Sequence, residues 1–153
     1  PPAPQPSAAE LIRRSRELAR LSAELDASIR AYARRPRQRY LSASTRSLRD
    51  AAYLEAWRRK IERIGNLNYP EEAKRRGLSG SLVLDVALNP DGSVRSVEIL
   101  RSSGYKVLDD AAVRIVHLAA PFAPFPPAMR QDTDVLHIVR TWQFLQGDRL
   151  EAR

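Results

Sequence analysis

The sequence predicts an α+β domain: a three-stranded antiparallel sheet, order 2-1-3, with two helices packed on one face and a helical extension before it. Three observations carry this. Leu82, Leu84, Val86 and Leu88 recur every two residues and run into Asn89-Pro90-Asp91-Gly92, a strand followed by a reversal. Leu108, Ala111, Ala112, Ile115 and Ala119 fall at the three-and-four spacing of one helix face. Val135 to Leu145 is a third strand candidate, rich in β-branched and aromatic residues.

Taken in order, Pro1-Pro2-Ala3-Pro4-Gln5-Pro6 is too poor in apolar residues to fold, and residues 1–7 read as the end of an extended, proline-rich linker. From Ala8 to about Arg35 the composition turns to Leu, Ala, Arg and Glu. Leu11, Leu18, Leu25 and Tyr32 lie seven apart, which predicts a helix that Pro36 stops. Arg14 and Ser28 occupy the intervening seam, so a solitary or transiently paired helix fits better than a stable coiled coil. Arg37 to Thr45 is expected to be a loop, with Ser44 or Thr45 as cap of the next helix. Residues 8–45 thus form a basic extension, and 46–153 the domain. Leu54, Trp57, Ile61 and Ile64 give a helix its buried face, Trp57 being a core residue, and Gly65 is a natural stop.

Pro70, Glu71 and Glu72 open a helix of about two turns, Lys74, Arg75 and Arg76 suit its negative end, and Gly77 closes it. In the hairpin, Pro90 pre-sets the second position of a type I turn and Gly92 tolerates positive φ. The step from Val94 to Val97 interrupts alternation and predicts a bulge. Pro121-Phe122-Ala123-Pro124-Phe125-Pro126-Pro127 must be a stiff connector whose two rings cover the core. The polar tail after Gly147 is expected to fray.

The 153 residues hold one domain of ordinary size, and 43% hydrophobic residues suffice for a core. No cysteine is present, which excludes disulfides, thiolate metal sites and thiol nucleophiles. No apolar run reaches the roughly 18 to 20 residues of a membrane span, and no signal-peptide pattern begins the chain. A start at Pro1 without methionine is the expected mark of a fragment. All of the net charge of +8 sits in residues 1–65, with 15 Lys and Arg against 7 Asp and Glu; residues 66–153 are balanced at 11 and 11. That basic part can meet nucleic acid, an anionic surface or cell wall, though a solvated helix accounts for it.

Chemistry is not indicated. His117 and His137 have no second ligand at metal spacing, adjacent Asp109 and Asp110 diverge on their helix and read as helix-start charges, and Gly77-Leu78-Ser79-Gly80 precedes a strand, unlike a phosphate loop. No enzyme, cofactor or metal is expected. What remains is backbone: the last strand, if it lies at a sheet edge, can accept a peptide by strand addition.

The order Tyr69-Pro70, Gly77 to Val94, Ser102-Ser103-Gly104 and Leu108-Asp109-Asp110-Ala111-Ala112, from about Asn66 to Phe144, resembles the C-terminal domain of the TonB family. The resemblance implies a periplasmic adaptor, anchored to the inner membrane by a segment not in this chain. It would draw on the proton-motive force through ExbB and ExbD and grip outer-membrane transporters that import siderophores, iron and similar nutrients. It further implies a docking strand for the transporter's TonB box, at Val135, Leu136, His137, Ile138, Val139, Arg140 and Thr141. Polar residues before Tyr-Pro, Asn66 and Asn68, would touch the same partner, Asn66 standing where Gln is common. Peptidoglycan is a further candidate partner. Alternatives are a TolA-like envelope adaptor, disfavoured by the Tyr-Pro and Ser-Ser-Gly motifs, and a basic nucleic-acid- or cell-wall-binding module. For nucleic acid the strands lack a stacking aromatic series.

Overall fold

The computed structural model describes residues 3–45, 47–146 and 148–153. Pro1 and Pro2 of the linker, Arg46 at the expected domain start and Gly147 past the third predicted strand lie outside the described residues. The chain divides into two units, 1–35 and 36–153. In the first, residues 3–7 have no regular secondary structure, with Ser7 extended, and α1 spans Ala8–Ala33 behind Ser7, whose side chain accepts from the Glu10 N–H. No α1 residue is buried, and none of the ion pairs among the described residues lies on it.

In the second unit, β1 (Gln38–Leu41) precedes α2 (Leu48–Leu67) and α3 (Glu71–Arg76). Then come β2 (Gly80–Leu88), β3 (Val94–Arg101), α4 (Lys106–Ala119), α5 (Pro127–Arg130), β4 (Val135–Leu145) and β5 (Arg149–Ala152). The predicted antiparallel trio is present as β3-β2-β4, so the 2-1-3 order holds for it. The sheet is larger than expected, with five strands among the described residues and mixed pairing: β1 joins β4 in parallel and β5 joins it antiparallel. The register of β2 on β3 slips between Ala87 and Leu88, opposite Ser96 and Val94, which is the predicted bulge.

The alternation read in β2 is the core face. Leu82, Leu84, Val86 and Leu88 are fully buried, as are Leu136, Ile138 and Trp142 of β4. Against them pack Leu54, Trp57 and Ile61 of α2 and the predicted row of α4. Tyr69 of the Tyr-Pro motif sets its ring edge-on against Phe144, and burial pushes its phenol up to about 12. Phe122 and Phe125 are buried, as expected of the connector. In the Ser-Ser-Gly loop, the Ser103 N–H and hydroxyl donate to Asp109 at 2.9 and 2.7 Å, so Asp109 ties the loop to the first turn of α4.

Four local expectations are corrected. Arg37 to Thr45 is not wholly loop, because Gln38–Leu41 is a strand. Neither Ser44 nor Thr45 caps α2; Ser47 precedes it, and Thr45 Oγ1 accepts from the Ser42 N–H. Gly65 does not stop α2, which runs on to Leu67. A side chain at Gly65 would collide with the Leu150 methyl, so the glycine serves close approach of β5. The tail after residue 147 is strand, not frayed.

Since the charge-laden α1 buries nothing, a chain starting at Pro36 is expected to melt within a few degrees of the full chain. About 1 kcal/mol corresponds to roughly 4 to 8 °C in a domain of 60–100 residues. A larger loss in a calorimetric scan would show that residues 1–35 support the sheet. A start at Ser44 is expected to cost more, because it removes β1.

Candidate functional site

The sequence places the docking candidate on the last long strand, and β4 is where the added strands converge. Main-chain donors along a strand point alternately to its two neighbours. On β4 the odd residues point outward: the Val135 N–H donates to Arg37 O at 3.1 Å and the Thr141 N–H to Arg153 O at 2.9 Å. Even residues point to β2. The expectation that this strand offers an unpaired edge is therefore corrected, because the chain covers the edge itself. β1 takes Val135, Leu136, His137 and Ile138, and β5 takes Trp142 through Leu145, with Thr141 exchanging bonds with Arg153. Val139 and Arg140 lie between the two covers.

β1 is fastened by charge. Arg37 closes a forked pair on Asp134 at 3.1 Å per arm, holding that carboxyl below the usual carboxylate range. Arg39 reaches the buried Asp50 at 2.6 Å. On the face away from the helices His137 joins three strands: Nδ1 lies 2.9 Å from Asp85 on β2, Nε2 lies 2.7 Å from Gln38 on β1, and Tyr40 stacks on the ring at 4.3 Å.

β5 is held differently. The Asn66 side chain accepts from the Leu150 N–H at 2.9 Å and donates to the Leu150 carbonyl at 3.2 Å. Its amide thus pairs with the outer edge of β5 as another strand would. Glu62, one turn earlier on α2, accepts from the Ala152 N–H at 3.1 Å. Asn66, Glu62 and β4 together make a slot for one extended segment, and β5 fills it. Asn68 is not in the slot; its amide donates to Ile64 O at the end of α2. His117, an exposed residue of α4, has no role here. Among the described residues no group of three or more His, Cys, Asp or Glu is placed to hold a metal ion. The sequence did not flag Glu62 or Leu150, whose parts depend on a strand it did not show.

Arg140 is the unusual member of the core-facing row of β4. Its neighbours in that row, Ile138 and Trp142, are fully buried. Burial and the charge of Arg58 push its pKa down against the pull of Glu55 and Glu62.

The family described as Gram-negative bacterial TonB protein C-terminal matches residues 65–144, which is more than half of the chain. The chain belongs to the TonB C-terminal family. It is 34% identical over 84 residues to Protein TonB of Pasteurella multocida, a match covering 55% of this chain and 32% of that one. To Protein TonB of Helicobacter pylori strain J99 it is 33% identical over 58 residues, covering 38% of this chain and 21% of the relative. The chain therefore spans about a third or less of these relatives. The NMR solution structure of the Helicobacter pylori TonB-CTD aligns over 67% of this chain and 96% of its own, at 23% identity and a TM-score of 0.46. The TonB C-terminal match covers α3 through β4 and the slot residue Asn66, and stops before β5. No helix among the described residues is long and apolar enough to cross a membrane.

Proposed function

We propose that this chain is the transporter-gripping part of a TonB-type energy transducer. In this reading it is a periplasmic adaptor, anchored to the inner membrane through a segment outside the chain. Proton-motive force reaches it through ExbB and ExbD, and it pulls on TonB-dependent outer-membrane transporters for siderophores, iron and similar cargo. The grip is main-chain pairing of a transporter peptide on β4, with Asn66 holding the peptide's far side. Membership in the TonB C-terminal family supports the role. The observation that supports the grip is the double hydrogen bond from Asn66 to Leu150: the residue implicated by the resemblance holds an extended segment against β4 along Thr141 to Leu145, adjoining the expected docking stretch Val135 to Thr141 rather than lying on it. The incoming peptide takes the place of β5. Backbone pairing demands little of sequence, which suits one adaptor serving several transporters.

Replacement has a distinctive signature. A competitor within the chain lowers apparent affinity by the fraction of time the slot is open. Leu150 is the buried anchor of β5. Leu150→Ala should therefore tighten binding of a transporter N-terminal peptide about tenfold or more, a gain of about 1.4 kcal/mol or more. Titration calorimetry on parent and variant measures it. Unchanged or weaker binding would show that the peptide does not enter the β5 slot.

A further inference from the structure

Beside the slot, a cavity of about 600 Å³ is lined by Arg58, Glu62, Arg140, Arg149 and Glu151 among others. Its arginines outnumber its carboxylates, and the carboxylates are already engaged. Glu62 takes Arg58 at 2.6 Å as well as the Ala152 N–H. Glu151 takes Arg149 at 2.6 Å and Arg153 at 2.9 Å. Glu55, behind them, takes Arg59 at 3.1 Å and Arg58. Among the described residues, the guanidinium of Arg140 makes no hydrogen bond or ion pair, and its Nε is buried without a partner. Leaving a charged donor desolvated and unpaired is costly, and an arriving anion would relieve that cost.

Position identifies the anion. Arg140 lies in the gap between the last β1 partner, Ile138, and Thr141, where β5 pairing ends. A strand added through this gap, in either direction, sets one residue opposite Arg140 with its side chain on the same face. Directly opposed Cβ atoms are about 4.5 to 5.5 Å apart, within reach of a carboxylate to a guanidinium.

We propose that Arg140, on the part of this cavity wall that stays in place when β5 leaves, forms a subsite for one acidic side chain of the peptide bound on β4, so that the domain selects Asp or Glu opposite Arg140. The proposal rests on the strand-addition reading and adds to it a charge preference at one peptide position. Burial and the repulsion from Arg58 that lower the Arg140 pKa are both countered by a carboxylate at that place.

The test uses the full chain and synthetic nonapeptides of alternating Val and Thr in which a single Asp is moved along the strand, each paired with an Asn twin. One Asp placement is expected to bind about tenfold tighter than its twin, the size of a charge-assisted hydrogen bond. Arg140→Gln should erase that preference, so that each Asp peptide and its Asn twin then bind alike, a loss of about tenfold for the favoured placement. Arg140→Met, which keeps much of the apolar stem, should act alike, and a melting scan of both variants checks folding. If the Asn twins bind but no placement of Asp gains, the subsite is wrong and strand addition stands. A preference that survives both variants assigns the charge reading to Arg58, the other arginine of the cavity that stays in place, and overturns the role of Arg140. If inorganic phosphate alone shifts the Arg140 Nε–H resonance and no peptide preference appears, the site takes free anions instead. Failure of every peptide to bind overturns the reading and the subsite together.

Discussion

Gly92→Ala is expected to destabilise the domain by about 2 to 5 kcal/mol. Two costs add: an alanine held at positive φ, about 1 to 2 kcal/mol, and insertion of a methyl into packed backbone, about 1 to 3 kcal/mol. Gly92 closes the β2–β3 hairpin at φ 87°, its N–H donating to Asn89 O at 2.9 Å. The connector lies directly on it. The Phe122 N–H donates to Gly92 O and the Phe125 N–H to Pro90 O, both at 2.9 Å, which lays the two phenyl rings into the core. A Cβ on Gly92 would stand 2.7 Å from the Phe122 carbonyl carbon and nearer still to its oxygen. The neighbour is main chain, so rotation of a side chain cannot relieve the clash. Gly104 is the control: it has the same φ of 87° and open space where its Cβ would be. Gly104→Ala should lose only the conformational part, about 1 to 2 kcal/mol. Denaturant unfolding of both variants checks this. Equal losses would mean that the connector does not rest on the hairpin.

That contrast also marks what the sequence makes legible. Gly92 as a turn residue follows from the Asn-Pro-Asp-Gly pattern, and the alternation of β2, the helical spacing of α4 and the β-rich run of β4 announce themselves, because each is a local periodicity several residues long. The contact of Gly92 with Phe122 is not local and leaves no mark. β1 and β5 fail to show for the same reason. Each has four residues, Gln-Arg-Tyr-Leu and Arg-Leu-Glu-Ala, with too few apolar positions for a period to emerge. What makes them strands is distant: Arg37 finds Asp134 from 97 positions away, and Asn66 finds Leu150 from 84. Gly65 misleads in the other direction. A glycine after the last residue of an apolar period reads as a helix stop, yet here it admits Leu150. The proposed docking strand and Asn66 enter only through the family resemblance, whereas the slot that Asn66 forms with β4 depends on β5.

Proline placed singly along β4 should separate the two sides of that strand. Proline has no N–H and its ring displaces whatever faced the lost donor, so its effect depends on which neighbour that donor served. The sequence leaves the parity open. The bonds from Val135 to Arg37 and from Thr141 to Arg153 fix it: odd positions face β1 and β5, even positions face β2. Ile138 is fully buried and pairs with Val86 in the middle of the trio. Ile138→Pro loses an inward donor, about 1 to 3 kcal/mol, on top of the about 2 to 5 kcal/mol that Ile138→Ala costs for its side chain. That sum approaches the whole stability of a typical domain, about 5 to 15 kcal/mol, so no cooperative melting transition is expected. Gln143 pairs outward with Glu151. Gln143→Pro should leave the trio and its helices folded while β5 detaches, read as fast hydrogen exchange at the Leu150 and Ala152 amides against slow exchange across β2. If Gln143→Pro also abolishes folding, β5 is an integral strand that cannot be lifted from its slot, and a peptide cannot take its place without unfolding the domain.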